Sequence, residues 1–194
     1  MTLFIVLTTL LASAVCGEAT ASSSDAVDCE SAASLVHGAK LADVLMAFGP
    51  SEGAYLAGAD MERGPARGDV LVLRFVRDVV VARKHRARIL AFFAPAGVSM
   101  EALRIDFESP VPEDEIILKF GKEFRRVSQR LEHDAGGMEA SLSNCDSESG
   151  PYKSLLFPKS GMMATLSDEG GVTALRFAVA ILDKKETYPP CSGG

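Results

Sequence analysis

A continuous apolar run at residues 70–76 constrains the fold of this 194-residue chain more than any other segment. The run reads Val-Leu-Val-Leu-Arg-Phe-Val, and its β-branched and aromatic residues favour an extended conformation. A strand that is apolar on both faces is typical of the middle of a sheet, where both faces are covered. The sequence therefore predicts a sheet with strands on both sides of residues 70–76.

Apolar periodicity divides the rest of the chain into short helices and strands. Residues 31–48 and 82–93 have apolar residues at helical spacing, and the second segment also has a basic side. Residues 102–107 alternate between apolar and charged residues, which predicts a half-buried strand. Three further short strands are predicted, the last two joined as a hairpin by the turn at 168–171: residues 154–157, 162–166 and 172–177.

Residues 111–133 permit two predictions. Pro112 and the three acidic residues after it are typical of the start of a helix. Apolar residues then recur at helical spacing as far as Leu131, which favours one long helix. The alternative is a strand at 116–118, with Gly121 as a break and a helix only after it.

Together these elements predict a single globular domain at residues 31–188. Its expected class is α+β, with a mainly antiparallel sheet and two or three helices packed on one face. Residues 18–30 are small and polar and are predicted to be a flexible segment. Residues 189–194 are predicted to be a tail rich in Pro and Gly.

The first 17 residues are predicted to be a secretory signal peptide. An apolar run at 3–11 is followed by Ala12, Ser13 and Ala14, small residues of the kind that signal peptidase recognises. The run is too short to span about 30 Å of hydrocarbon, so no stable membrane anchor is expected. We expect a secreted protein or one in a secretory compartment. The Ser- and Ala-rich residues 19–24 leave a secondary plastid as an alternative destination.

The net charge argues against several partners. The chain has a formal net charge of −6 and a pI of about 5.1, whereas proteins that bind nucleic acids usually have a basic face. No nucleic-acid partner is therefore predicted, and adhesion to anionic membranes is also disfavoured. The basic run at 83–88 permits a polyanion site or a processing site, but we interpret it as a solvated helix face.

The cysteines predict at least one disulfide bond if the protein is exported, because the compartment is then oxidising. The candidates are Cys29, Cys145 and Cys191, and a bridge between Cys29 and Cys191 would tie the two ends of the domain together. The spacing does not choose the pairing. No two cysteines have the spacing of zinc ligands and the three His are scattered, so no metal site is predicted.

Motifs for catalysis are missing from the sequence. It contains no Gly-rich phosphate loop, no Gly-x-Ser-x-Gly elbow and no His-Glu-x-x-His motif. We therefore predict no cofactor, and an enzyme ranks last among the expected functions.

Arg74 interrupts the apolar run of residues 70–76 and is the main candidate for a binding residue. If its guanidinium is buried it needs a partner, because an unpaired buried charge is costly. A ligand carboxylate would accept bidentate hydrogen bonds from it. A structural Asp or Glu would also serve, and at a sheet edge the side chain would reach water. In the ligand interpretation, the apolar wall of the site consists of Leu71, Leu73, Phe75, Phe92 and Phe93.

Two short sequence matches recur at the same offset of 72 residues. Residues 43–49 match residues 115–121, and Ala102-Leu103-Arg104 matches Ala174-Leu175-Arg176. A tandem duplication would produce this pattern, and so would chance.

The middle of the chain resembles the chalcone isomerase-like family, especially its fatty-acid-binding members. The resemblance covers residues 43–120 and is carried by Val44-Leu45-Met46-Ala47-Phe48-Gly49, by the strand and Arg-Asp turn at 71–79, and by the Pro-rich turn and apolar residues at 110–120. It implies strands at 43–48 and 115–120, and a sheet packed with helices around a hydrophobic cleft. The family's catalytic Tyr and Thr positions have no match, so the resemblance does not imply isomerase activity.

The repeat at 72 residues is also similar to the tandem α/β modules of β-lactamase-inhibitor-like and outer-membrane-assembly lipoprotein-like proteins. Two functions are therefore expected. The first is an exported, non-catalytic protein that binds a small apolar ligand such as a fatty acid, with Arg74 at its carboxylate. The alternative is a secreted protein-interaction module, either inhibitor-like or a surface protein. An enclosed apolar cavity beside Arg74 would favour the first, and a filled core with a broad exposed patch would favour the second.

Overall fold

The computed structural model describes residues 26–36, 38–57, 70–93, 99–133, 140–146 and 153–182. Its helices are α1 (Cys29–Ser34), α2 (Leu41–Phe48), α3 (Glu113–Phe120) and α4 (Val179–Leu182), with a 3-10 helix at Pro158–Ser160. Its strands are β1 (Val27–Asp28), β2 (Gly53–Ala57), β3 (Val70–Val80), β4 (Lys84–Phe93), β5 (Met100–Pro112), β6 (Arg125–His133), β7 (Ala140–Asp146), β8 (Ser154–Phe157), β9 (Met162–Leu166) and β10 (Gly171–Ala178). The predicted signal peptide and C-terminal tail lie outside the described residues.

The strands of the described residues form one sheet. Its order is β1-β3-β4-β5-β10-β9-β8-β6-β7, and β2 also pairs with β3. β1 runs parallel to β3, and the other described pairs are antiparallel. The predicted α+β class is confirmed, because a large mixed sheet is combined with helices. The interior position of residues 70–76 is also confirmed, since β3 has β4 on one side and β1 and β2 on the other.

Several predicted elements are confirmed. The helical pattern at 31–48 corresponds to the end of α1 and the whole of α2. The alternating residues 102–107 lie within β5, and the three short strands are β8, β9 and β10, with a turn at 168–170 between the last two. β1 and the first residues of α1 lie inside the segment 18–30, which was predicted to be flexible.

The predicted helix at residues 82–93 is wrong, because this segment is strand β4. Arg86 and Arg88 are exposed there, whereas Ala87 and Ile89 are buried. The sequence permits both structures, since its charged and apolar residues alternate and also cluster at helical spacing. Pairing with β3 and β5 decides for the strand, because each neighbour satisfies one side of the β4 backbone.

Residues 111–133 form a helix and then a strand, so the favoured single long helix is wrong. α3 begins after Pro112 and ends at Gly121, whose φ of 91° lies in the left-handed region that favours glycine. β6 follows and pairs with β7 and β8. The strands that the chalcone isomerase-like resemblance implies at 43–48 and 115–120 are also wrong, because these residues belong to α2 and α3.

The inner face of the sheet carries the main hydrophobic core. This face consists of side chains from the central strands that share one buried cluster, among them Phe75, Ile89, Ile105 and Leu175. α1, α2 and α3 contribute to the same cluster through Ala32, Val44, Phe48 and Ile116. A second, smaller cluster joins α4 to the opposite, outer face through Val127, Leu156, Ala178 and Ile181.

The offset of 72 residues recurs in the helices. The first residues of α2 and α3, Leu41 and Glu113, are 72 positions apart, and the two helices have the same length. Each helix is followed by a glycine with positive φ, which is 75° at Gly49 and 91° at Gly121. β2 and β6 then begin at positions 53 and 125, again 72 residues apart.

The sheet has the symmetry that this offset predicts. The order β5-β4-β3-β2 on one side of the sheet centre is mirrored by β10-β9-β8-β6 on the other. At the centre, Arg104 lies opposite Arg176, which is its own counterpart at the offset of 72. The flanking pairs correspond as well. Leu103 lies opposite Phe177, and their counterparts at the offset of 72, Leu175 and Ile105, also lie opposite each other. Two halves therefore meet around a pseudo-two-fold axis at Arg104 and Arg176. Each half contains one helix and four strands that correspond to those of the other, and α1, β1, β7 and α4 have no counterpart among the described residues.

Arg77 connects the end of α2 to β3. Its Nε donates to the carbonyl of Phe48 at 2.8 Å, and its Nη2 donates to the carbonyl of Pro50 at 2.9 Å. Its Nη1 donates to the carbonyl of Val76 at 2.7 Å. The last carbonyls of a helix have no partner within the helix, so Arg77 satisfies a group that would otherwise need water.

Replacing Arg77 with Met should lower the free energy of unfolding by about 2–3 kcal/mol, because a hydrogen bond from a charged donor contributes about 1.5–3 kcal/mol. The control is Arg88→Met on the same sheet, whose exposed side chain predicts a change within about 0.5 kcal/mol. Urea unfolding followed by circular dichroism measures both variants. Equal losses in the two variants would contradict this role for Arg77.

Candidate interaction surface

Arg74 points away from the main core. Successive residues of a strand face opposite sides of the sheet, and its neighbours Leu73 and Phe75 both belong to the inner-face cluster. Arg74 is exposed. Its side chain therefore reaches water, which was one of the alternatives, although β3 is not at the edge of the sheet. β3 is interior within the sheet, but its outer face at this position is open to solvent.

The structure does not bring Arg74 together with most of the predicted apolar wall. Phe92 is on the same face, because it lies opposite Val72, two residues before Arg74 on β3. The other predicted wall residues pack in or against the inner-face core: Leu71, Leu73, Phe75 and Phe93. A carboxylate bound at Arg74 is therefore separated from them by the sheet itself.

Arginines form a row across the outer face. Residues directly opposite on neighbouring strands share a face, and the register places Arg74, Leu90, Arg104 and Arg176 side by side on β3, β4, β5 and β10. Neighbouring strands are about 4.8 Å apart. The backbones at Arg74 and Arg104 are therefore about 10 Å apart, and those at Arg104 and Arg176 about 5 Å.

Arg88 widens this row into a patch. It is exposed and lies opposite Asp106 on the same face. Asp106 accepts a hydrogen bond from Nε of Arg104 at 2.7 Å. The outer face thus carries four arginines and Asp106 on β3, β4, β5 and β10, in a chain whose net charge is −6. We call these four residues the arginine patch: Arg74, Arg88, Arg104 and Arg176.

Ion pairs border the arginine patch at one end of the strands. Arg86 lies two residues before Arg88 on β4 and pairs with Asp78 at 3.4 Å. Glu108 lies 4.0 Å from the same guanidinium. The charges at this end are therefore balanced locally, and the arginine patch lies further along the strands.

The arginine patch places like charges next to one another. Like charges directly opposite on antiparallel strands destabilise a sheet, and Arg104 and Arg176 are placed in this way. Within the part of the chain that the structure describes, no carboxylate lies at ion-pair distance from Arg74 or Arg88. Such a concentration of positive charge attracts anionic groups. The outer face is therefore the candidate functional surface.

Cys29 is fully buried and its thiol is free. Burial raises the pKa of Cys29 to about 12, because a thiolate is poorly solvated there, and the neighbouring Asp28 carboxylate adds to this effect. Cys191 and the side chain of Cys145 lie outside the described residues. A disulfide involving these two cysteines remains a prediction.

The described residues contain neither a membrane-spanning helix nor a cluster of metal ligands. None of their helices is long and apolar enough to cross a membrane, and their His, Cys, Asp and Glu side chains form no group of three that would hold a metal ion.

The chain matches no protein-family model, no curated protein and no solved structure.

Sequence reasoning identified Arg74 but missed the rest of the arginine patch. Arg104 and Arg176 were visible in the sequence as part of the matching tripeptides 102–104 and 174–176. Their meeting on one face depends on the pairing of β5 with β10, which no local pattern specifies. Arg88 was assigned to a helix face, and only the strand conformation of β4 places it beside Asp106.

Cys29 should resist alkylation by iodoacetamide in the native protein at pH 8, because burial hides the thiol and keeps it protonated. In denaturant without a reductant, Cys29 should react fully. Mass spectrometry of the peptide that contains Cys29 measures both states. If Cys29 reacts in denaturant only after reduction, it is oxidised in a disulfide and the assignment as a free thiol is wrong.

Proposed function

We propose that this chain is an exported protein-interaction module whose sheet docks onto an acidic surface of a partner protein. The observation that carries the proposal is the arginine patch, which concentrates positive charge on the outer face of an acidic chain. Export is part of the proposal and rests on the predicted signal peptide.

The proposal includes the expected arrangement of a mainly antiparallel sheet with two or three helices on one face. It is supported by the shared cluster in which Ala32, Val44 and Ile116 pack with inner-face residues of the sheet. In this arrangement the helices α1, α2 and α3 occupy the inner face. The centre of the outer face is then left for the partner.

A protein partner fits the composition of the outer face better than an extended polyanion does. Half-buried apolar side chains lie among the arginines, including Val76, Leu90 and Phe92. Arg and aromatic residues are enriched at protein interfaces, where apolar contacts and charge pairs alternate. The overall charge of −6 repels a long polyanion, whereas a local acidic area on a protein meets only the arginine patch.

Binding of a fatty acid has less support from the same geometry. A fatty-acid site needs the carboxylate and the hydrocarbon chain on one side of the sheet. Arg74 faces outward, whereas Leu73, Phe75 and Phe93 are at most 4% exposed in the inner-face core. The interaction module is therefore the better-supported function.

The test is photocrosslinking in the cells that produce the protein. Benzoylphenylalanine in place of Leu90, between Arg74 and Arg104, should give a covalent adduct with one acidic protein. The same group in place of Lys122, which is exposed beyond the end of α3, should not give this adduct. Mass spectrometry identifies the adduct, and its sequence reveals whether the contact surface is acidic.

Charge reversal then tests the role of the arginine patch. Arg88→Glu should reduce the adduct at position 90 by about tenfold, which corresponds to about 1.4 kcal/mol. Lys122→Glu changes the net charge equally and should have no such effect. Circular dichroism should show that both variants are folded. An adduct that forms equally from positions 90 and 122, or that is unchanged by Arg88→Glu, would overturn the proposal.

A further inference from the structure

β2 is an edge strand of the described sheet, and its own residues, Gly53–Ala57, include none of the features that usually protect an edge. Among the described residues it pairs with β3 alone, so its other backbone edge has no strand beside it. Proteins usually protect such edges with charged residues, prolines or bulges. β2 reads Gly-Ala-Tyr-Leu-Ala, and its pairing with β3 has no shift of register. This edge therefore has no charge, proline or bulge to prevent the addition of another strand.

The side chains of β2 are suited to contact an added strand. Tyr55 is 48% exposed and Leu56 is 67% exposed. Tyr55 lies opposite Val72 and shares the outer face with Arg74, whereas Leu56 lies opposite Leu71 and shares the inner face. An added strand would therefore meet one large apolar side chain on each face of the sheet.

Arg74 brings a positive charge to this edge. It lies opposite Gly53, and a Cβ atom at Gly53 would be only 3.6 Å from Nη2 of Arg74. Because Gly53 has no side chain, the guanidinium lies over the backbone of β2. A strand beside β2 would be about 4.8 Å further out, so a carboxylate on its outer face is within reach of Arg74.

We propose that an extended segment of a partner protein adds to the sheet beside β2, with an acidic side chain paired to Arg74. Its backbone would bond to the open edge of β2, and the apolar side chains on its inner face would pack on Leu56. In strand addition, backbone hydrogen bonds provide affinity and alternate side chains provide specificity. This inference rests on the proposed function, because it specifies the form in which the acidic partner binds.

Charge complementarity selects an acidic segment over a basic one. The other arginines of the patch continue inward from Arg74 on the same face, so a basic segment would meet several like charges. An acidic side chain beside Gly53 meets the guanidinium of Arg74, which lies over the backbone at this position. The expected segment therefore alternates an acidic residue with apolar residues.

The probes are two fluorescein-labelled peptides, one alternating Glu with Val and the other alternating Lys with Val. Fluorescence anisotropy at 0.15 M salt measures their affinity for the full chain. The Glu peptide should bind at least about tenfold more tightly than the Lys peptide, and Arg74→Glu should reverse this preference. Lys122→Glu makes the same charge change outside the arginine patch and should alter the affinity for the Glu peptide by no more than about twofold.

Hydrogen exchange provides a second measurement that does not depend on a variant. Addition of the Glu peptide should slow amide exchange within residues 53–57, because backbone groups at the free edge become hydrogen-bonded. Binding without protection of residues 53–57 would overturn the inference. Equal losses of affinity in Arg74→Glu and Lys122→Glu would also overturn it, since they indicate a dependence on net charge alone. The absence of any binding by the Glu peptide would also overturn the inference.

The two proposals fail separately. Loss of the position-90 adduct in Arg88→Glu, without peptide binding at β2, would keep the docking surface and remove strand addition. Protection of residues 53–57 by the Glu peptide, together with an adduct that Arg88→Glu does not change, would keep strand addition and remove docking on the patch.

Discussion

The pairing of β5 with β10 is the contact on which the rest of the structure depends. It joins the two halves into one sheet and makes their apolar inner faces continuous, since Leu103, Ile105, Leu175 and Phe177 are all buried around it. The strands approach closely at one end of this pair. A Cβ atom at Gly171 would lie 2.5 Å from Cβ of Pro110, so only glycine fits there without a shift.

The same pairing also brings two like charges together on the outer face. Because the register is symmetric around the centre, each half contributes an arginine at the same position, and Arg104 and Arg176 come to lie side by side. Asp106 offsets part of this charge through its hydrogen bond to Arg104. Places where a local rule is broken are often places of function, because the unfavourable term is relieved when a ligand or partner binds. The symmetric register thus brings together two arginines of the surface that we propose for docking.

Local patterns predicted many of the elements, and the exceptions have physical causes. The β-branched residues of β3 and the strict alternation in β5 admit one conformation, and both strands are observed. Residues 82–93 have apolar and basic residues at both periods, so local preference cannot choose, and the two neighbouring strands decide. The helical spacing after Gly121 was misleading, because the apolar residues of β6 continue the pattern of α3 only by coincidence of spacing.

The sequence by itself determined the α+β class of the fold and the presence of an arginine in the most apolar strand. These features follow from interactions between residues close in the chain, which a linear pattern records. Only the tertiary structure decided that Arg74 faces solvent, that Leu73 and Phe75 lie on the opposite face, and that Arg88, Arg104 and Arg176 gather beside it. Those outcomes depend on which strands become neighbours and which face the helices cover. Burial of apolar area against distant parts of the chain settles both choices.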